Sequence, residues 1–167
     1  DATQVNDFRR VGIVKNPLAG GSAASVATAR TTNALIVSGT IGTNYQVDEL
    51  ITQATTGARG RVVEWDATNK ILYYVQEKYA TYGVLNAGAD KGNLIEFSGT
   101  GTIQGGTSSV TYTPSSSSST VNNVVFESGY AKPEMKRDTG EIIYVENRRP
   151  ISRASDQTED IKVVVEF

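Results

Sequence analysis

The stretch GRVVEWDATNKILYYVQE, residues 60–77, decides the fold class of this chain. Val, Ile, Tyr and Trp fill both of its arms, and these residue types favour the pleated surface of a β-sheet. Residues 66–70 lie between the arms and supply the loop. The stretch therefore predicts a β-hairpin, in which Trp65 and Tyr73 face each other as an aromatic cross-strand pair.

Shorter strand patterns surround this hairpin. Weaker strands are predicted at residues 8–14, 34–38, 93–97, 109–113 and 121–127. Residues 140–147 (GEIIYVEN) form a further strand, and the turn formers of RDTG before it predict that residues 130–136 pair back as a hairpin. Helical patterns are confined to residues 22–30 and 152–159. The chain is thus predicted to be mainly β with minor α, built as a small β-barrel or sandwich.

The end of the chain, ENRRPISRASDQTEDIKVVVEF at residues 146–167, combines a charged cluster with a regular strand. Apolar side chains fall on one face of the strand and charged ones on the other: Ile161, Val163, Val165 and Phe167 against Lys162 and Glu166. This period of two is typical of a half-buried strand. A charged cluster beside such a strand suits a joint made by strand addition and ion pairing.

Two stretches interrupt the strand pattern. NPLAGGSAAS (residues 16–25) contains Pro and paired Gly, and TPSSSSST (residues 113–120) has the low complexity of a flexible linker. We therefore predict two units. Residues 31–113 form a small β module inserted into a β-rich host unit, which consists of residues 1–30 and 114–167.

The amino-acid composition argues against several classes of function for this chain. Sixteen Lys and Arg against 18 Asp and Glu give a net charge of −2, which argues against a nucleic-acid partner. No apolar run is long enough to span a membrane. The chain has no Cys and no His, which removes thiolate nucleophiles, the Ser-His-Asp arrangement and the usual zinc ligands. Only carboxylate, Lys or Tyr chemistry remains, so the composition disfavours an enzyme, and we predict no enzymatic activity, no cofactor and no metal.

Two motifs that resemble ligand sites have simpler interpretations. GTGTIQGG (residues 99–106) is followed by a strand-like stretch, so a glycine-rich β-turn is favoured over a phosphate-binding loop. Asp156, Glu159 and Asp160 lack the calcium-loop spacing and are interpreted as a solvated charged turn. The spacing of the 18 acids selects no glycosidase pair.

Two groups of residues are candidates for binding. Trp65, Tyr73 and Tyr74 form a candidate ligand platform that could stack on sugars or bases, although packing within the sheet is favoured for them. Arg148, Arg149 and Arg153 are candidate partner contacts. The guanidinium forks of Arg148 and Arg149 suit carboxylates on a partner protein, and an ordinary surface role stays equally open for them.

Both ends of the chain resemble baseplate wedge proteins of contractile-tailed phages of the T-even type, in particular the eighth-gene-product-like subunits in their marine-phage form. The resemblance lies in NDFRRVGIVKNP (residues 6–17) and in GEIIYVENRRPISRASDQTEDIKVVVEF (residues 140–167). The middle stretch QATTGARGRVVEWDATNKILYYV (residues 53–75) is similar to small β modules of phage tail proteins. The chain begins without Met and is short for a wedge subunit, so we expect a C-terminal part of one.

The resemblance implies a virion structural protein of the phage tail baseplate, assembled in the host cytoplasm, with no catalytic residues. It also implies contacts with other baseplate wedge proteins and allows a homodimer. From the residues alone, a carbohydrate- or receptor-binding β module of a phage tail or adhesin stays open as the alternative, and a carboxylate-based glycosidase comes third. A glycan array separates the first two, since a scaffold should give no signal.

Overall fold

A computed structural model of the chain describes residues 10–78, 81–87, 92–136 and 138–147. Within these residues the structure is almost entirely β, which confirms the predicted fold class. The strands are β1 (Arg10–Lys15), β2 (Leu18–Ala19), β3 (Ser22–Ala23), β4 (Asn33–Ile36), β5 (Leu50–Gln53), β6 (Ala58–Asp66), β7 (Ile71–Val75), β8 (Ile103–Gly105), β9 (Thr111–Tyr112), β10 (Ser119–Val121), β11 (Val124–Phe126), β12 (Tyr130–Ala131) and β13 (Glu141–Asn147).

The chain divides into two compact units. One consists of Ser25–Met135, and the other takes its described residues, 10–24, 136 and 138–147, from both ends of the chain. The predicted module, residues 31–113, is shorter than the first unit at both ends. Whether either unit folds by itself stays a prediction.

The larger unit contains a seven-stranded antiparallel sheet with the order β12-β4-β7-β6-β5-β8-β9. The predicted hairpin is confirmed as β6 and β7, and it forms the centre of the sheet. Beyond the strands, a bridge between Val37 and Pro114 brings the segment after β9 back to the segment after β4. The contact is one bridge long, and the strands do not close into the predicted barrel.

A β-bulge in β6 sets which side chains share a face of the sheet. Val62 pairs with Tyr74 and Glu64 pairs with Tyr73, so Val63 is an extra residue. Because strand side chains alternate between faces, one extra residue returns Trp65 to the face of Val62. The predicted pairing of Trp65 with Tyr73 is therefore wrong, and Trp65 lies opposite Leu72.

Each face of the sheet carries an apolar core. The larger core contains Leu35, Val37, Tyr45, Ile51, Ala58, Val62, Leu72, Tyr74, Phe97, Ile103 and Val110, and the smaller contains Ala34, Ile71, Val124, Phe126 and Ala131. Successive residues of β4 and β7 alternate between the two cores. The second face is covered by the hairpin of β10 and β11, whose Phe126 is fully buried.

The serine-rich stretch at residues 113–120 is not the predicted linker. Pro114 is buried, the Ser115 amide donates to the Ile36 carbonyl at 2.8 Å, and Ser119 begins β10. Serine is depleted in cores but does not prevent strand pairing. Because the backbone groups of this stretch find partners, its composition does not make it a loose connection.

The structure also differs from the predictions for several short segments. Residues 130–136 do not pair with β13, because β12 pairs with β4 and β13 pairs with β1. Residues 93–97 contribute one bridge, between Leu85 and Leu94, in place of a strand. Residues 22–30 form β3 and a 3-10 helix, Val26–Thr28, rather than two α-helical turns. The predicted helical turn at 152–159 and strand at 160–167 lie outside the described residues.

Candidate functional site

The smaller unit displays apolar side chains on a two-stranded ribbon of β1 and β13. In β13, Ile142 is 67% exposed, Ile143 is 57% exposed and Val145 is 65% exposed. In β1, Val14 is 45% exposed. Exposed apolar side chains are ordinary when scattered, but a contiguous group of them marks an interaction surface.

The register shows that three of these side chains lie on one face. Gly12 pairs with Val145, and Val14 pairs with Ile142. Residues 12 and 14 lie two positions apart on β1, so both pairs share one face of the ribbon. The extra residue of β13, Ile143, lies between the two pairs along the strand. We call Gly12, Val14, Ile142 and Val145, which share a face, the ribbon patch.

The candidate partner contacts Arg148, Arg149 and Arg153 lie outside the described residues. What the structure adds is the preceding strand, because β13 is described as far as Asn147. In the sequence, Arg148 and Arg149 therefore follow directly after the ribbon. The acids Asp156, Glu159 and Asp160 also lie outside the described residues.

The candidate ligand platform is divided between the two cores. Trp65 packs against the larger core, whereas Tyr73 packs against the smaller one. Tyr74 is 4% exposed and meets Phe97 edge-on, with ring centroids 4.9 Å apart. These three side chains do not form one surface, so the structure gives no support to their acting together on a ligand.

Trp65 belongs instead to an aromatic cluster that sequence reasoning missed. Its ring stacks on Tyr112 at 5.7 Å with an interplanar angle of 13°, and Tyr45 meets its edge at 5.3 Å. The Trp65 indole donates to Asn44 Oδ1 at 2.9 Å, and the Tyr112 hydroxyl accepts from the Thr43 amide at 3.0 Å. The cluster holds the loop before β5 against the sheet. Its members are far apart in the sequence, so no local pattern indicates it.

Glu49 is a buried carboxylate with an unusual set of partners. It is 4% exposed, and its oxygens accept hydrogen bonds from the Gln46 amide at 2.7 Å, the Thr107 amide at 2.9 Å, and both the amide and the hydroxyl of Ser108 at 2.8 Å. Burial raises the pKa of a carboxyl group, but these hydrogen bonds outweigh burial and lower the pKa of Glu49.

The glycine-rich stretch at residues 99–106 makes room for this carboxylate. It leads into β8 and a turn, as predicted, rather than into a phosphate-binding helix. A Cβ at Gly105 would lie 2.7 Å from Glu49 Oε1 and 2.8 Å from Oε2. Glycine is therefore required at position 105 by the close approach of the carboxylate. Four hydrogen bonds use the acceptor positions of Glu49, so its role is structural.

Two further features of the described residues concern membrane-spanning helices and metal-binding clusters. No helix in the part of the chain that the structure describes is long and apolar enough to cross a membrane. Within the same residues, no three or more Asp and Glu side chains converge where they could hold a metal ion.

The mainly β fold and its exposed ribbon are accompanied by a match to a family of phage proteins. The family model described as "Bacteriophage T4, Gp8" matches residues 23–167, so the chain belongs to this family. A curated relative, the baseplate wedge protein gp8 of Enterobacteria phage T4, is 50% identical over 46 residues. These residues are 27% of this chain and 14% of that relative. No solved structure matches the chain. The resemblance to baseplate wedge proteins is confirmed.

Proposed function

We propose that this chain is a non-enzymatic structural component of a phage tail baseplate wedge. It acts through contacts with other baseplate wedge proteins, is located in the virion and is assembled in the host cytoplasm. The observation that carries this proposal is the family match over residues 23–167. The name of the relative in phage T4 supports it, because that relative is a baseplate wedge protein.

The geometry supports contact rather than chemistry. Glu49, the buried charged side chain of the described residues, is fully engaged by backbone and hydroxyl donors. The ribbon, by contrast, exposes apolar surface, and two arginines follow its last described residue in the sequence. Arginine forks bind carboxylates with defined geometry, which a scaffold protein needs. We therefore propose that Arg148, Arg149 and Arg153 contact carboxylates of a neighbouring wedge protein.

The arginine contact is tested by reversing charge in a phage complementation assay. Arg148→Glu combined with Arg149→Glu should leave folding near normal and prevent baseplate assembly. Losing a buried charge pair at an interface costs about 2–5 kcal/mol of binding. Arg59→Glu combined with Lys78→Glu is the matched control, since both residues are exposed on the larger unit. It should assemble normally.

Two results would contradict the arginine contact. One is normal assembly of the Arg148/Arg149 variant, and the other is a melting curve showing that this variant has lost its fold. A homodimer is a separate proposal, and sedimentation of the purified chain decides it without affecting the contact with other wedge proteins.

A further inference from the structure

The apolar side chains of the ribbon patch are not buried by any other part of the chain that the structure describes. Within those residues, β1 and β13 pair with each other and with no third strand. An isolated two-stranded ribbon is marginally stable in water, and a third strand or a packed element is usually required. Ile142 and Val145 are 67% and 65% exposed, more than Tyr144 on the opposite face, which is 47% exposed. We therefore take the face of Ile142 and Val145 as the one that an additional element would cover.

The sequence after β13 has the right pattern to supply it. Twenty residues follow Asn147, and the last eight alternate with Ile161, Val163, Val165 and Phe167 on one face. Lys162 and Glu166 lie on the other face, so a strand with one side buried would leave both charges in water.

The connection is also long enough. The seven residues of β13 span about 23 Å at about 3.3 Å per residue. The twelve residues 148–159 reach up to about 40 Å when extended. The segment can therefore return along the ribbon of its own chain. A short tether also gives it an effective concentration in the millimolar range, which a second copy does not reach at ordinary protein concentrations.

We propose that residues 160–167 pack their apolar face on the ribbon patch of the same chain. Gly12 provides a place for a large side chain, because among the described residues a Cβ there would meet only the Tyr144 carbonyl oxygen, at 3.7 Å. A glycine in a strand is often covered by an aromatic ring from the neighbouring strand. Phe167 is the aromatic residue on the apolar face of the segment. This inference is independent of the proposed function.

Cysteine cross-linking tests the packing in the full chain, which has no Cys of its own. Packed strand faces lie about 10 Å apart, too far for a direct disulfide, so a bis-maleimide that spans about 10 Å is used. Ile142→Cys and Val145→Cys are each combined with Val163→Cys or Val165→Cys, and cross-linking is followed by gel electrophoresis and mass spectrometry. The controls pair the same ribbon positions with Lys162→Cys or Val164→Cys, which have the opposite parity. At least one apolar-face pair should form an intramolecular cross-link ten times faster than every control.

Two outcomes of this experiment would overturn the proposal. Equal rates for the apolar-face pairs and the controls would show that the segment has no preferred face on the patch. A cross-link that forms mainly between chains at micromolar concentration would show that a second copy, rather than the same chain, occupies it.

Hydrogen exchange gives a second readout that does not depend on introduced Cys. Val163→Ser combined with Val165→Ser should speed amide exchange in β1 and β13 at least tenfold, because the cover is weakened. Val164→Ser is the control and should leave exchange in the ribbon unchanged. Exchange in β6 and β7 should be unaffected in both variants. Unchanged exchange in β1 and β13 of the double variant would overturn the proposal.

Discussion

At the scale of single residues, the structure is organised around a carboxylate that the sequence did not single out. Glu49 joins the loop before β5 to the turn between β8 and β9, because its donors come from Gln46 on one side and from Thr107 and Ser108 on the other. Its pattern in the sequence is that of an ordinary surface acid. Only the fold brings the donors together, so periodicity could not have revealed the site.

Glu49→Gln should destabilise the protein by about 1–3 kcal/mol, measured by urea unfolding at pH 7. The amide nitrogen of Gln donates, so it would face backbone amides that also donate and leave buried groups unsatisfied. Glu64→Gln is the matched control, since Glu64 is exposed on the same sheet. Its effect should stay within about 0.5 kcal/mol.

Comparing the native chain with Glu49→Gln also tests how stability depends on pH. The pKa of Glu49 is lowered on folding, so its contribution is fully present above the ordinary value of 4.5 and is lost as the pH falls through the lowered folded pKa. The stability difference between the native chain and Glu49→Gln should therefore shrink below pH 4.5. A difference that stays constant from pH 7 to pH 3 would show that hydrogen bonds do not favour the ionised form.

At the scale of elements, strands with a strong local pattern could be predicted from the sequence, whereas the bulge that interrupts one of them could not. Both arms of residues 60–77 are rich in Val, Ile, Tyr and Trp and a loop lies between them, so the hairpin of β6 and β7 was identified from the sequence. The bulge at Val63 has no such signature, which is why Trp65 was assigned to the wrong neighbour. The prediction of a flexible linker at residues 113–120 was wrong for a different reason. Its composition suggested flexibility, but its partners come from the distant β4 segment.

Deleting Val63 should leave Trp65 in the aromatic cluster. Without the extra residue, Val62, Glu64 and Trp65 alternate regularly and keep their partners Tyr74, Tyr73 and Leu72. Trp65 is the one Trp of the chain, so its fluorescence spectrum and its accessibility to acrylamide should stay native. Inserting an Ala after Glu64 is the contrasting variant, because it turns Trp65 to the other face, and its spectrum should shift to the red. A red shift for the deletion variant would mean that Val63 is not the extra residue of the register.

At the scale of the whole molecule, the sequence identified the class of protein but not the source of its stability. The strings at the two ends carried the resemblance, and the family match confirms it. Both apolar cores, however, lie within Ser25–Met135, a unit whose ends do not coincide with the predicted module. The boundary read from the serine-rich stretch left β10, β11 and β12 outside the predicted module, although a strand was predicted at residues 121–127, where β11 lies.

The segment Ser25–Met135, expressed alone, should fold and unfold in one cooperative transition. It contains every strand of the seven-stranded sheet and the hairpin that covers its second face. A second fragment, residues 31–113, lacks β10, β11 and β12. The face of the sheet on which Ile71 lies should therefore be exposed to solvent in that fragment. Equal stability of the two fragments, measured by thermal unfolding, would contradict the role given to that hairpin.

The central claim is that this chain is part of a phage tail baseplate, and quantitative mass spectrometry of purified phage particles tests it most directly. Peptides from residues 25–135 should be present in the particles and in isolated baseplates, in a fixed ratio to the other wedge proteins. Peptides that occur in the infected-cell lysate but are absent from particles purified to constant composition would contradict the claim.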